Sequence, residues 1–362
     1  MTGGDRVTGP ILDFDMAAWR ANVAHLAALA APARTMIAVK ADAYGHGMLP
    51  FARAALESGA DSLAVLDVPA ALAVRDAGSG IAPDVMVFAW LHGADTDFAA
   101  AIEADIDLGV SSMIELTRII SAGIDKPAAI HLKIDTGLHR NGASPEDWPA
   151  LVSAARDAEL EGRIRIAALW SHLADASPAD DAAALAEFQA AIAVAAALGV
   201  DAPLLHLAAS SAGIREPEAR FGMVRFGIAA YGISPFDDID GRGLGLRPVM
   251  TFRAPVITVD DGTATIAAGS ADGVAPSALG ASGHGAWILV EGSRREVTSI
   301  DVDTLTVALG DGSPVAVGDI AILFGAGDDG EPTAEEWAEW AATNGDEIVV
   351  RASTRAERRY LD

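Results

Sequence analysis

The chain has 362 residues, of which 51% are hydrophobic and 21% are charged, so it can bury a large core and is not predicted to be globally disordered. Its formal net charge of -26 argues against nucleic acid or an anionic membrane surface as a partner. The absence of cysteine excludes disulfides, thiolate metal sites and cysteine nucleophiles. The first residues lack the apolar region of a signal peptide, and no apolar run has transmembrane length. We therefore expect a soluble, cytoplasmic protein.

From the start of the chain to about residue 235, short apolar runs alternate with Ala-rich helical stretches such as Leu49–Ser58 and Asp180–Leu198. The predicted strands are 36–41, 62–67, 84–90, 107–112, 129–135, 164–170, 204–209 and 223–230. Apolar strands separated by helices are typical of a parallel sheet that is buried on both faces. Eight such strands predict a (β/α)8 TIM-type barrel. A doubly wound open sheet is the alternative that periodicity leaves open.

The character of the sequence changes near Gly241–Gly245. Shorter β-branched runs follow, separated by turn signals, at 251–259, 263–268, 286–291, 296–301, 304–309 and 319–324. Thr333 and Glu336 match a capping box, which predicts a helix over Thr333–Ala342, and a last strand is predicted over Glu347–Ala352. We therefore predict a barrel over 1–240, whose first residues could join the second domain, and a mostly-β domain over 241–362.

Lysine is rare in this chain, since three lysines stand against twenty-two arginines. Two of them, Lys40 and Lys133, follow apolar strands. Burial lowers the pKa of a lysine, and the neutral amine is the form that attacks a carbonyl. The position of Lys40 therefore suits a Schiff-base lysine, and the alternative is a lysine that extends from a strand end into solvent.

Polar residues cluster where the predicted strands end. They are Lys40 and Tyr44 after the first strand, Lys133, Asp135 and Arg140 after the fifth, Ser171-His172 after the sixth, His206–Ser211 at the seventh and Met223–Gly232 at the eighth. In a barrel these ends form one rim, which is where catalytic groups and phosphate sites lie. Each residue also has an ordinary alternative role, such as a glycine in a turn or a core histidine, but their joint placement favours a site.

The sequence resembles the alanine racemases, which are pyridoxal 5'-phosphate (PLP) enzymes with an N-terminal barrel and a C-terminal β domain. The motifs that carry the resemblance are Val39–Gly47, Lys133–Arg140, Ser171–Ala174, His206–Ser210 and Val224–Gly232. The resemblance is specific through the barrel and colinear through the β domain.

The resemblance implies a cofactor site on the barrel. Lys40 matches the lysine that holds PLP as an internal aldimine and serves as one of two acid/base groups. Tyr44, Ser210 and the backbone amides of Gly227 and Ile228 match the set that binds the phosphate.

Four further barrel residues match groups around the cofactor ring. Arg140 matches the arginine that binds the phenolic oxygen, and Lys133 matches an often carbamylated lysine that orients it. Arg225 matches the arginine that faces the pyridine nitrogen, and an arginine does not give up its proton there. His172 matches a histidine that helps orient the second acid/base group.

The β domain departs from the family pattern. By the resemblance, Ser270 stands at the position of the catalytic tyrosine and Val274 at that of a second tyrosine. Asp346 stands where a phosphate-contacting tyrosine is found, and Ala209 where an asparagine precedes the phosphate serine. In Ile300-Asp301, Asp301 is the member of a methionine–aspartate pair that is kept.

These departures leave two functions open. The first is a PLP-dependent, alanine-racemase-like protein that acts on or binds a small amino acid through Lys40, with two-base racemisation impaired because serine is a weak base. His284 is an alternative candidate for the second base. The second function is a non-racemising PLP-binding or regulatory homologue, or an enzyme that uses one face of its substrate. The resemblance also implies a homodimer with its site at the interface.

Overall fold

The computed structural model describes residues 8–175, 177–280, 285–352 and 355–362. The chain divides into two compact units. The barrel unit contains Val23–Lys40 and Ala52–Gly227, and the β unit contains the chain up to Asn22, Ala41–Phe51 and Ile228–Asp362.

Within the described residues, the strands are β1 Ile11–Asp15, β2 Arg34–Ala38, β3 Ser62–Val65, β4 Met86–Ala89, β5 Ile106–Val110, β6 Ala128–Lys133, β7 Ile164–Trp170, β8 Leu205–His206, β9 Met223–Phe226, β10 Met250–Asp260, β11 Thr263–Ile266, β12 Trp287–Val290, β13 Ser293–Ile300, β14 Leu305–Ala308, β15 Ile320–Phe324 and β16 Glu357–Leu361. The α-helices of the same residues are Met16–Ala30, Met48–Glu57, Val68–Arg75, Phe98–Glu103, Met113–Ile120, Trp148–Leu160, Pro178–Ala197, Ser210–Arg215, Ala334–Ala341 and Gly345–Ala352.

The barrel unit is a parallel sheet in the order β8-β7-β6-β5-β4-β3-β2-β9. Backbone hydrogen bonds join its two ends, because the Gly222 N–H donates to Leu205 O at 3.1 Å and the Arg225 N–H donates to Ala208 O at 3.1 Å. A cluster of buried side chains fills the interior: Met36, Ala38, Ala64, Phe88, Ala168, Trp170, Leu204 and Met223. The predicted TIM-type barrel is therefore confirmed, with a packed core rather than a pore.

Side-chain caps define where several barrel helices begin. Asp67, Asp97, Ser112 and Ser177 each accept a hydrogen bond from the backbone N–H three residues further on. Such caps satisfy donors that the first helical turn leaves unpaired. These caps therefore fix where the helices that follow β3, β4, β5 and β7 begin.

The β unit contains a closed ring of antiparallel strands. Its order is β11-β14-β13-β12-β15-β10-β1-β16, and β10 also pairs with β11, which closes the ring. The first strand of the chain, β1, lies antiparallel to β10 and parallel to β16. The predicted C-terminal mostly-β domain is thus confirmed.

The sequence predicted one helix and one strand near the end of the chain, and the structure contains the helix but not the strand. Thr333 caps Ala334–Ala341, and the Glu336 carboxylate accepts a hydrogen bond from the Thr333 N–H, as the capping box predicted. The strand predicted over Glu347–Ala352 is wrong, because Gly345–Ala352 is a helix. The Asn344 side chain accepts the Glu347 N–H at 3.0 Å and so starts this helix.

Among the described residues, no helix combines the length and the apolar character that crossing a membrane requires.

Candidate active site

Lys40 lies at the end of the first barrel strand. After β2, the Val39 N–H still donates to Ala64 O at 2.8 Å, which prolongs the pairing with the neighbouring strand to the residue before the lysine. Lys40 itself is half-buried. The sheet therefore fixes the backbone from which this amine extends.

A left-handed turn follows Lys40. Ala41–Tyr44 all have positive φ values, between 50° and 55°. Backbone hydrogen bonds from Gly45 to Ala41 O and from Gly47 to Asp42 O, at 2.9 and 2.8 Å, hold the turn. Each L-residue in this conformation costs about 1–2 kcal/mol. The chain thus uses an unfavourable backbone conformation immediately after the lysine.

Four cationic side chains of the barrel unit surround His172 closely enough to act on its charge. Arg225, Arg140, Lys133 and Lys40 all lower the pKa of His172, in addition to the larger effect of burial. That pKa lies well below its ordinary value, so His172 is neutral at pH 7. In a chain with a net charge of -26, this is a local concentration of positive charge. It suits an anionic ligand.

Lys133 is the most buried of these four cationic residues. It is 2% exposed, and burial, then Arg225 and Arg140, lower its pKa to about 7. Its Nζ donates to Asn141 Oδ1 and lies 4.6 Å from the centre of the Trp170 ring. A substantial fraction of Lys133 is therefore the neutral, nucleophilic amine at neutral pH.

Arg225 is held by four hydrogen bonds. Its Nη1 donates to His206 Nδ1 at 2.9 Å, and its Nη2 donates to His172 Nδ1 at 3.0 Å. The same Nη2 contacts the carbonyl oxygens of Ser171 at 2.8 Å and Leu207 at 2.9 Å. Burial lowers the pKa of Arg225 to about 9, so the guanidinium stays charged at neutral pH. Because arginine has no acceptor, His172 Nδ1 must accept and its proton lies on Nε2.

Ser210 and Gly227 meet near the end of β9. The Gly227 N–H donates to Ser210 Oγ at 3.0 Å, and Ser210 is 6% exposed at the start of the helix Ser210–Arg215. Ile228, the next residue, begins a buried 3-10 turn in the β unit. The barrel therefore brings one hydroxyl and one backbone amide of the predicted phosphate set into direct contact.

Tyr44 belongs to the β unit, where its ring centre lies 4.9 Å from that of Tyr231. Burial raises the pKa of Tyr44, and the negative charge of Asp346 raises it further. The phenol is therefore protonated at neutral pH and remains a hydrogen-bond donor. The charge of Asp346 therefore affects the pKa of Tyr44, the side chain that the resemblance assigns to phosphate binding.

Ser270 and Asp301 are brought together by the backbone of the β unit. The Ser270 N–H donates to Asp301 O at 2.9 Å, and the Ala271 N–H donates to Val302 O at 2.8 Å. Ser270 starts a short 3-10 turn and is half-buried, and Val274 is buried. The candidate His284 lies outside the described residues.

The sequence analysis missed two residues that contact the predicted site. Trp170 faces Lys133 and also Arg225, whose guanidinium carbon lies 5.3 Å from the ring centre. Asn141 is the acceptor for Lys133. The signals were present, since a tryptophan ends a predicted barrel strand and an asparagine directly follows the predicted ligand Arg140.

Comparison with known proteins places this architecture in one family. The model of the alanine racemase N-terminal domain matches residues 14–235, and that of the alanine racemase C-terminal domain matches residues 251–360. The chain is 39% identical to an alanine racemase of Frankia casuarinae, covering 99% of this chain and 97% of the relative. It is 41% identical to an alanine racemase of Salinispora tropica, covering 96% of each.

Solved structures agree with the sequence relatives. Alanine racemase from Streptomyces coelicolor A3(2) superposes with a TM-score of 0.94 at 39% identity, covering 99% of each chain. Alanine racemase from D-cycloserine producing Streptomyces lavendulae gives 0.91 at 38% identity, covering 98% of this chain and 97% of the other. The chain therefore belongs to the alanine racemase family, whose members use PLP as their cofactor.

Proposed function

We propose that this protein binds PLP through Lys40 and exchanges the Cα proton of a small amino acid there, but racemises that amino acid slowly. The observation that carries the proposal is the contact of Arg225 with His172 at 3.0 Å inside the barrel unit, where Arg140, Lys133 and Lys40 are also near enough to lower the pKa of His172. The slow racemisation follows from Ser270, which stands at the position of the family's catalytic tyrosine.

The donor set of the barrel fits PLP. Lys40 would hold the cofactor covalently, and the Ser210 hydroxyl, whose oxygen accepts the Gly227 N–H, would donate its own proton to the phosphate. Arg140 would supply positive charge for the ring oxygen, and Arg225 would supply a fixed donor for the ring nitrogen. When bound, PLP draws electrons from the Cα of an amino acid and so acidifies its proton.

Lys40 is the group of this chain that takes and returns that proton. Arg225 stays charged at neutral pH and is fixed by four hydrogen bonds, so it offers a steady donor rather than a proton to give away. His172 is neutral, and its Nε2–H is a donor for a neighbouring acid/base group. Lys40 therefore serves one face of the substrate.

Ser270 supports the second part of the proposal. A serine hydroxyl needs an activating base before it can take a proton, and a lost general base typically costs about 10²–10⁴-fold in rate. Reaction on the second face is therefore expected to be slower by about that factor. We also propose a homodimer, the assembly typical of this family, which analytical ultracentrifugation would test.

A second candidate function is a PLP-binding homologue that does not turn over amino acids, in which Asp346 would loosen the hold on the cofactor without preventing its binding. Asp346 places a negative charge near Tyr44, which the resemblance assigns to the cofactor phosphate. Like charges repel, so this carboxylate would weaken phosphate binding.

The two functions separate in one experiment in deuterated water. Each enantiomer of alanine is incubated with the protein, and deuterium at Cα is followed by NMR together with the appearance of the opposite enantiomer. Single-face chemistry predicts exchange without inversion from one enantiomer that exceeds racemisation by about 10²–10⁴-fold. Equal rates of exchange and inversion from both enantiomers would refute it.

The Lys40→Ala variant is the control for the cofactor. Wild-type protein should show the visible absorbance of lysine-bound PLP, and the variant should not. A coloured protein that exchanges neither enantiomer favours the non-catalytic function. A protein that stays colourless with added PLP refutes both.

A further inference from the structure

Four polar side chains form a continuous line through the interior of the barrel unit. Arg225 on β9 contacts His206 on β8 at 2.9 Å, and His206 Nε2 lies 3.0 Å from Nδ1 of His131 on β6. His131 Nε2 lies 3.0 Å from Oδ2 of Asp107 on β5. Both histidines are fully buried, and Asp107 is 7% exposed. We call these residues the barrel line.

The barrel line is enclosed by aromatic rings. The His131 ring stacks on Phe88 at 4.5 Å, and the His206 ring stacks on Trp170 at 5.6 Å. The Trp170 indole also donates to His131 O at 3.1 Å. The ring planes, and hence the directions of the imidazole nitrogens, are fixed by packing as well as by hydrogen bonds.

The hydrogen bonds can run in one direction only. The Arg225 guanidinium donates and cannot accept, so His206 Nδ1 accepts and the His206 proton lies on Nε2. That proton is donated to His131 Nδ1, which leaves the His131 proton on Nε2, where it is donated to Asp107. Both imidazoles are therefore neutral, and every bond donates from the arginine towards the carboxylate.

This direction gives Asp107 a role towards Arg225. All four hydrogen bonds of the buried guanidinium end on neutral atoms, two imidazole nitrogens and two carbonyl oxygens. A buried charge is costly unless it is balanced. The barrel line ends on a carboxylate, whose influence the two polarised imidazoles transmit.

We propose that Asp107 is a positioning residue for Arg225: it accepts the His131 proton at the end of the line that the arginine directs and, through His131 and His206, balances the charge of the guanidinium. The proposal deepens the proposed function, on which it rests for the placement of Arg225 towards the cofactor. The hydrogen-bond line itself does not depend on that placement.

The test is ¹⁵N NMR of protein labelled at histidine, as purified and after addition of PLP. His206 and His131 should each be protonated on Nε2, with scalar coupling across the hydrogen bond between His206 Nε2 and His131 Nδ1. A proton on Nδ1 of either imidazole overturns the proposal, and this measurement needs no variant.

Two substitutions of Asp107 separate its role as a hydrogen-bond acceptor from its negative charge. Asp107→Leu removes both, and we expect a weaker coupling between the imidazoles, a shifted signal of His131 Nε2 and faster loss of PLP on dialysis. Asp107→Asn keeps an acceptor oxygen, so it should retain the coupling and recover part of the PLP retention. Asp105→Asn is the matched control, because this carboxylate lies just before β5 and pairs with Lys126 at the surface. It should match wild type in both measurements.

Unchanged imidazole signals in Asp107→Leu would overturn the proposal. Failure of the proposed function gives a different result, since wild-type protein would then not bind PLP while the ¹⁵N pattern would still show the line.

Discussion

Replacement of Lys133 by methionine should remove a pH dependence from the stability of the protein. Burial lowers the pKa of Lys133 from its ordinary value of 10.5 to about 7, whereas the unfolded chain keeps the ordinary value. Between these values the unfolded state binds more protons, so stability rises with pH. The full difference corresponds to about 5 kcal/mol, and the part recovered between pH 7 and pH 9 is about 2 kcal/mol. Lys133→Met keeps the length of the side chain and has no proton to lose.

The assay is urea unfolding at pH 7, 8 and 9, followed by tryptophan fluorescence. Wild type should gain about 2 kcal/mol relative to Lys133→Met over this range. Lys126→Met is the control, because Lys126 lies at the surface, paired with Asp105 at 2.7 Å, and its loss should leave the wild-type slope unchanged. Bicarbonate is excluded, since a carbamate would reverse the charge of Lys133. If wild type and Lys133→Met gain stability in parallel, the ammonium is not desolvated in the folded protein and the reasoning fails.

Two further predictions concern residues of the β unit. Ser270→Tyr should raise the rate of alanine racemisation by about 10²–10⁴-fold, measured as inversion of each enantiomer, while Ser293→Tyr on an exposed strand position should not. An equal rise in both variants would show that the effect does not come from the position of the phenol. Gly232→Ala should cost about 3 kcal/mol or more in urea unfolding, because φ is +82° and a Cβ would overlap the Arg247 backbone carbonyl. Gly292→Ala shares a positive φ of +64° but has open space, so it should cost about 1–2 kcal/mol, and similar losses in both would contradict the role of the overlap.

Much of the fold was predictable because its barrel strands are mostly apolar. Each barrel run is buried on both faces and bounded by helices, which is the pattern that a parallel sheet leaves in a sequence. The last helix was mispredicted for the opposite reason. Ile348, Val349 and Val350 are β-branched and favour a strand, but the Asn344 cap and burial of Ile348 and Val349 against the β unit select a helix. Tertiary packing overrides local preference there.

The sequence indicated candidate site residues but not the hydrogen bonds that connect them. Lys40 and Lys133 were indicated because rare lysines end apolar strands, and Arg225 was indicated by the resemblance. The sequence does not reveal the line of hydrogen bonds from Arg225 through the His206 and His131 imidazoles to Asp107. A charged residue inside the apolar run of β5 was the available signal, and its partners lie on strands that are distant in sequence.

The left-handed turn after Lys40 has a consequence for how this chain tolerates substitution. Ala41 is exposed, so its side chain makes few demands on its neighbours, whereas the exposed Asp42 carboxylate accepts the Met48 N–H at 2.8 Å and pairs with Arg358 at 2.6 Å. The backbone of Ala41 and Asp42 is nevertheless in a conformation that β-branched residues avoid. A scan of all substitutions should therefore show valine and isoleucine excluded at Ala41 while glycine and asparagine are accepted. At Ala41 the constraint acts on the path of the main chain and leaves the polarity of the side chain free to vary.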